Sequence, residues 1–219
     1  RSRSGDYIFL VHQNTDTSEV KVLAADDPTG TLKTFLPRRP GHEYDIDHAN
    51  GRFIVRSNWQ ARNFRVLATT LENSTDPSAW DELIPHREDS MVRDIQAFDD
   101  WLVLGERKDG LRKVRVIAND GSVDRYLDAG EDAHVMWPDT NVKTDTETIR
   151  YGFSSPITPR QTWEIDLTTG KSTLLKAEQV LGDFDSANYR TSRLSIEARD
   201  GTQVPVSLAY HKDTPLDGT

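Results

Sequence analysis

The chain has 219 residues, no cysteine, and 27 Lys and Arg against 36 Asp and Glu, for a formal net charge of −9. Disulfides and thiolate metal sites are excluded, the sign is wrong for a nucleic-acid surface, and no apolar run reaches the length of a membrane span. Hydrophobic residues make up 35%, gathered in short alternating runs, which predicts a folded chain with many exposed loops.

The chain opens on Arg1-Ser2-Arg3-Ser4-Gly5 with no initiator Met, and is expected to be cut from something longer, so the lack of a leader is uninformative. Strand patterns follow at 7–12, 19–25 and 31–36, a first unit that lacks an opening strand. The second unit has four, at 43–49, 52–57, 63–69 and 80–85, with Asn50-Gly51 as a two-residue hairpin signal. The third has 92–98, 101–106, 111–118 and 122–128, turning at Asp99-Asp100, Lys108-Asp109-Gly110 and Asn119-Asp120-Gly121. The fourth has 133–137, 148–154, 162–166 and 172–176. No window sustains a helical period, and one turn at 176–181 is the most that is expected.

These units repeat in register. VKVLA at 20–24, FRVLA at 64–68, VRVIA at 114–118 and WEIDL at 163–167 align on Val22, Val66, Val116 and Ile165, and Ile8, Phe53, Leu102 and Ile149 keep step with them. A period of about 40 to 50 residues carrying several strands is that of β-propeller blades. The fold expected is all-β, about four blades of four-stranded antiparallel sheet whose two faces are both covered by neighbours. After Gln179 the rhythm breaks. Gly182-Asp183-Phe184-Asp185 reads as a linker, and 189–198 with 204–210 make one long hairpin about the turn at 199–202. The division expected is 1–185 for the blades and 186–219 for a separate crossing and hairpin.

That hairpin, NYRTSRLSIEARDGTQVPVSLAYHKD, resembles the segment where prolyl oligopeptidase family enzymes leave the propeller and enter the α/β-hydrolase domain. TFLPRRPGHEYDIDH at 34–48, WDELIPHRED at 80–89 and RYGFSSPITPRQTWEIDLTTG at 150–170 narrow the resemblance to the oligopeptidase B branch. It implies the C-terminal arc of a seven-bladed propeller followed by the first strands of a hydrolase domain. It also implies a bacterial, cytoplasmic serine peptidase without cofactor that cuts short peptides after Lys or Arg, the propeller restricting access. The partners implied are basic oligopeptides and the remaining hydrolase domain, with no nucleic acid and no membrane. The family's Gly-x-Ser-x-Gly nucleophile turn is absent from the 219 residues, so no catalytic, cofactor or metal residue is assigned. A non-enzymatic propeller scaffold and a proline-directed member of the family are the rival readings. Trp80-Asp81 occurs once, against the repeated signals of scaffold propellers.

Arg38 and Arg39, stiffened between Pro37 and Pro40, are expected at the interface of the two domains, and Asn188, Tyr189 and Arg190 at the hinge between them. His42 and His48, on one strand face about 20 Å apart by strand rise, are too distant to share a metal. Ser154, Ser155 and Ser192 lack a neighbouring base and read as turn or edge hydroxyls. Asp26-Asp27 and Asp183 with Asp185 lack the ligand ladder of a calcium loop and read as turn caps. Asn73-Ser74-Thr75 fits the glycosylation pattern and is read as idle. Trp101 and Trp163 are expected in the core between blades. Two unpaired blade faces would make the isolated chain self-associate.

Overall fold

The alternation of apolar residues folds into four successive blades and a separate hairpin in the computed structural model, which describes residues 1–218. Strands β1 (Tyr7–Gln13), β2 (Ser18–Ala24) and β3 (Lys33–Leu36) make the first blade, three-stranded and antiparallel. The second is β4 (Tyr44–Ala49), β5 (Arg52–Ser57), β6 (Arg65–Thr69) and β7 (Asp81–Ile84), paired in that order. The third is β8 (Ser90–Ala97), β9 (Trp101–Lys108), β10 (Leu111–Ala118) and β11 (Asp124–Tyr126). The fourth is β12 (Val135–Pro138), β13 (Thr148–Ser154), β14 (Gln161–Asp166) and β15 (Ser172–Ala177). A parallel bridge between Arg112 of β10 and Val135 of β12 joins the third and fourth blades into one eight-stranded sheet. The hairpin β16 (Tyr189–Glu197) and β17 (Gln203–His211) pairs only within itself.

The core lies between blades. On β6, Leu67 packs with Phe35, Tyr44, Phe53 and Trp80 toward the first blade. Its neighbour Val66 packs with Ile84, Val92, Leu102 and Leu104 toward the third. Successive side chains thus serve two seams, which is why the strand carries apolar residues on both faces. The third seam holds Val116, Met136, Ile149, Phe153 and Ile165 with Trp101 inside it and Trp163 packed against it, so both tryptophans stand where they were expected. Phe53, 1% exposed, meets Tyr7, Phe9, Phe35 and His48 at ring distances of 4.7 to 6.4 Å. Burying a side chain of that size stabilises by about 1.5–3 kcal/mol. Tyr44 bolts the first two blades together: its hydroxyl accepts from Val20 N at 2.8 Å and donates to Leu36 O at 2.8 Å. Burial pushes that hydroxyl up to about 12, so it stays a donor.

Strand ends fall within a residue or two of the sequence reading. The helical turn expected at 176–181 does not form. Lys176 pairs with Thr162 and Ala177 with Gln161, and Glu178 N continues the pairing onto Arg160 O at 2.9 Å. The ladder that β14 offers outweighs a single isolated turn, whose nucleation is unfavourable. Two short 3-10 turns, Pro77–Ala79 and Ser186–Asn188, were not foreseen; each is capped by an Asp side chain, Asp76 or Asp185. Among the described residues no helix is long and apolar enough to cross a membrane.

Candidate domain interface and inner rim

Adjacent blades meet through β4 against β2 and β8, β5 against β8, and β12 against β9 and β10. Each blade has two ends along these strands. One end collects the starts of the first strands. Ser18 N donates to His42 O, Asn58 N to Glu43 O, and Val92 N to Asn63 O, while Ser90 stands opposite Lys108. The β9–β10 turn is at this end, and the hairpin comes to rest on it. Arg193 of β16 donates to Asp109 O. Gly110, at φ +72°, leaves space that a Cβ would fill, because it would lie 2.8 Å from Arg193 Nη2 and 3.3 Å from Pro205.

Arg38 and Arg39 reach the same end, just before β4. Arg38 is exposed, and its backbone N donates to Glu19 Oε2 at 3.2 Å. Arg39 lays its guanidinium over Trp59 at 4.8 Å, and Trp59 in turn lies 5.4 Å from the ring of His42. His42 is 2% exposed and shares a 2.8 Å hydrogen bond with Ser57 Oγ. Burial first, and then the positive charge of Arg39, push its imidazole down to about 4. His42 is therefore neutral at ordinary pH, part of the packing beneath Arg39. His48 stands toward the other end of β4, bonded to Ser4 Oγ at 2.8 Å.

The expected hinge residues are held by their own neighbourhood. Tyr189 stacks on Phe184 at 5.5 Å and meets His211 edge-on. Arg190 bonds to the carbonyls of Ala187 and Tyr189, and Asn188 holds Lys212 through both backbone and side chain. No hydrogen bond or ion pair among the described residues joins Arg38 or Arg39 to Asn188, Tyr189 or Arg190. The contact that does join hairpin to blades, Asp109 with Arg193, escaped sequence reading because Lys108-Asp109-Gly110 carries only a turn signal.

This end also holds a buried carboxylate. Glu106, 1% exposed, accepts from Ser90 Oγ at 2.8 Å, from Arg115 Nη1 at 3.2 Å and from Tyr126 Oη. Arg115 also grips Asp124 with two bonds of 2.7 and 2.6 Å, which raises its own affinity for the proton. Every partner lies within the third blade, so the network locks β8, β9, β10 and β11 together and presents no open reactive group. The serines behave as turn chemistry: Ser155 Oγ accepts from the backbone of Ile157 and Thr158, and Ser192 lies in the β16–β17 ladder opposite Leu208. Asp27 accepts from Thr29. Ser74 is buried, with its hydroxyl bonded to Leu71 O.

Residues 1–178 match the family model described as "Prolyl oligopeptidase, N-terminal beta-propeller domain". The chain is 37% identical over 220 residues to dipeptidyl aminopeptidase BI of Pseudoxanthomonas mexicana, covering all of this chain and 30% of that protein. It is 27% identical over 210 residues to protease 2 of Moraxella lacunata, covering 96% and 30%. The solved oligopeptidase B of Leishmania major superposes with a TM-score of 0.86 at 25% identity, over 99% of this chain and 32% of that one. The chain thus spans about 30% of the length of the relatives it matches. With its repeated sheets and inter-blade cores, it belongs to the prolyl oligopeptidase family, through that family's N-terminal β-propeller domain.

Proposed function

We propose that this chain is the substrate-gating arc of a serine oligopeptidase that hydrolyses short peptides after Lys or Arg, the catalytic triad lying outside it. The observation that carries the reading is the likeness to an oligopeptidase B over 99% of the chain. The propeller is completed to seven blades in the whole protein. Residues 186–219 form the crossing and first hairpin of the hydrolase domain; Leu194, Ile196 and Val204 on it are 47%, 50% and 42% exposed, as suits strands that await further sheet. Arg38 and Arg39, at the end where the hairpin rests, face that domain, and Asn188, Tyr189 and Arg190 form the hinge about which it moves, a gating step of the lid kind. In the whole enzyme an activated Ser attacks the scissile carbonyl, a His carries the proton and an Asp orients the His. The bacterial, cytoplasmic setting belongs to the same reading.

The net charge of −9 supports the basic preference, since an acidic surface raises the local concentration of cationic peptides. A second reading, release of dipeptides, is favoured by the 37% identity to a dipeptidyl aminopeptidase. The full-length protein, given quenched peptides with blocked or free amino termini and one Lys, Arg or Pro, separates them when the products are weighed. Internal cuts after Lys or Arg, with kcat/KM falling as salt is added, are expected. Dipeptides released from free termini alone establish the second reading. Cuts confined to Pro overturn both, and no cut at all leaves a binding scaffold.

A further inference from the structure

The end of the arc remote from the hairpin carries an arrangement that no blade needs for its own sheet. There the turns between first and second strands of successive blades converge, and the segment preceding β1 joins them. Asp47, near the end of β4 and 8% exposed, is the hub. Its Oδ2 accepts from Arg3 Nε at 2.9 Å and from Ala97 N at 3.0 Å, and its Oδ1 from Arg3 N at 3.2 Å and His48 N at 2.9 Å. One carboxylate therefore takes bonds from the first, second and third blades. Arg3 lays its guanidinium over the ring of Phe98 at 5.3 Å, and its Nη1 donates to Asn141 O in the fourth. Asn141 is the second hub: its side-chain nitrogen donates to Gln96 Oε1, Asp139 O and Arg150 O, each at 3.0 Å, and its oxygen accepts from Arg150 N at 2.7 Å. Gln96 Nε2 closes the loop onto Asp139 O at 2.8 Å.

We propose that Arg3, Asp47, Gln96 and Asn141 form a clasp that ties four blades together at this mouth, and that the clasp sets the length of peptide the propeller admits. Apolar seams hold blades side by side but are tolerant of sliding, because burial is non-directional. Charge-assisted hydrogen bonds fix distance and angle, and here they do so across the boundaries between blades. Arg3 reaches from the start of the first blade to the loop of the fourth, so its side chain spans the arc as a chord. Asp47 and Asn141 are positioning residues: they hold the rim and touch no reacting group.

The selectivity half of this inference rests on the peptidase reading; the coupling half does not, and the two are read out separately. In the full-length protein, Asp47→Asn keeps the shape but removes the charge that Arg3 and two amides share. Hydrogen exchange of this variant is expected to quicken by about tenfold at Ala97 and also at residues 1–5 and 139–142, on blades far from it in sequence. Asn141→Ala is expected to give the same pattern from the other side. Faster exchange confined to the mutated blade overturns the clasp. With a long and a short peptide sharing one cleavable bond, kcat/KM for the long relative to the short is expected to rise severalfold in both variants. An unchanged ratio, or a proportional fall for both peptides, overturns the role in selection even where the exchange result stands. A protein that cuts no peptide defeats the peptidase reading and leaves exchange to judge the clasp.

Discussion

His42 shows how a residue that resembles a reactive group is turned into packing. Its ring lies between Tyr44 and Trp59 and feels the positive charge of Arg39, and both burial and that charge oppose protonation. The unfolded chain takes up a proton near pH 6.5 and the folded chain only near 4, so between those values the unfolded state binds more protons. Stability contributed by keeping the ring neutral is thus complete above pH 6.5 and is lost as pH falls toward 4. Thermal unfolding of the chain and of His42→Gln, followed from pH 7.5 to 4.5, is expected to show a steeper fall in Tm for the parent. Parallel curves would show that His42 is protonated in the fold. Sequence spacing alone separated His42 from His48 as a metal pair. What it could not supply was the burial that neutralises His42, because Trp59 and Ser57 come from the next strand and its turn.

At the level of elements, the fourth blade carries a contact with no tolerance. The indole of Trp137 lies on the backbone of Gly152, so close that a Cβ there would fall 2.0 Å from Cε2, and Arg160 covers the indole at 5.0 Å. Gly152→Ala must displace the ring from β13 and from Arg160. A loss of about 1–3 kcal/mol is expected for such overpacking, measured as a lower denaturant midpoint at constant slope; an unaltered midpoint would mean that the indole moves aside freely. Strands of this kind were legible because a period of two is written residue by residue, as at Val66 and Leu67. The end of β15 was not, since a short apolar run leaves helix and strand undecided until β14 supplies its ladder. The clasp was illegible for a different reason. Arg3, Asp47 and Asn141 each look like turn chemistry, and their convergence depends on the angle between blades, which no local pattern encodes.

For the whole molecule, the arc ends on two sheet faces that lack a neighbour. On β1, Tyr7 and Phe9 pack toward the second blade, while Ile8 and Leu10, which alternate with them, are 39% and 43% exposed. The net charge of −9 opposes association, but at physiological salt its reach is about 8 Å, and apolar contact outweighs it at close range. The isolated chain is therefore expected to associate, with light scattering giving a mass above the monomer's 24.8 kDa that grows with concentration. A monodisperse monomer would show that the faces are self-sufficient.

The single parallel bridge from Arg112 to Val135 gives the arc an uneven stiffness. Its third and fourth quarters are one continuous board, with backbone bonded to backbone across the place where a joint would be. The two remaining seams carry no strand pairing, only isolated backbone bonds such as Ser18 N to His42 O and Val92 N to Asn63 O, with packed side chains between them. Bending of the arc is therefore expected first in its leading half, where no strand ladder crosses from blade to blade.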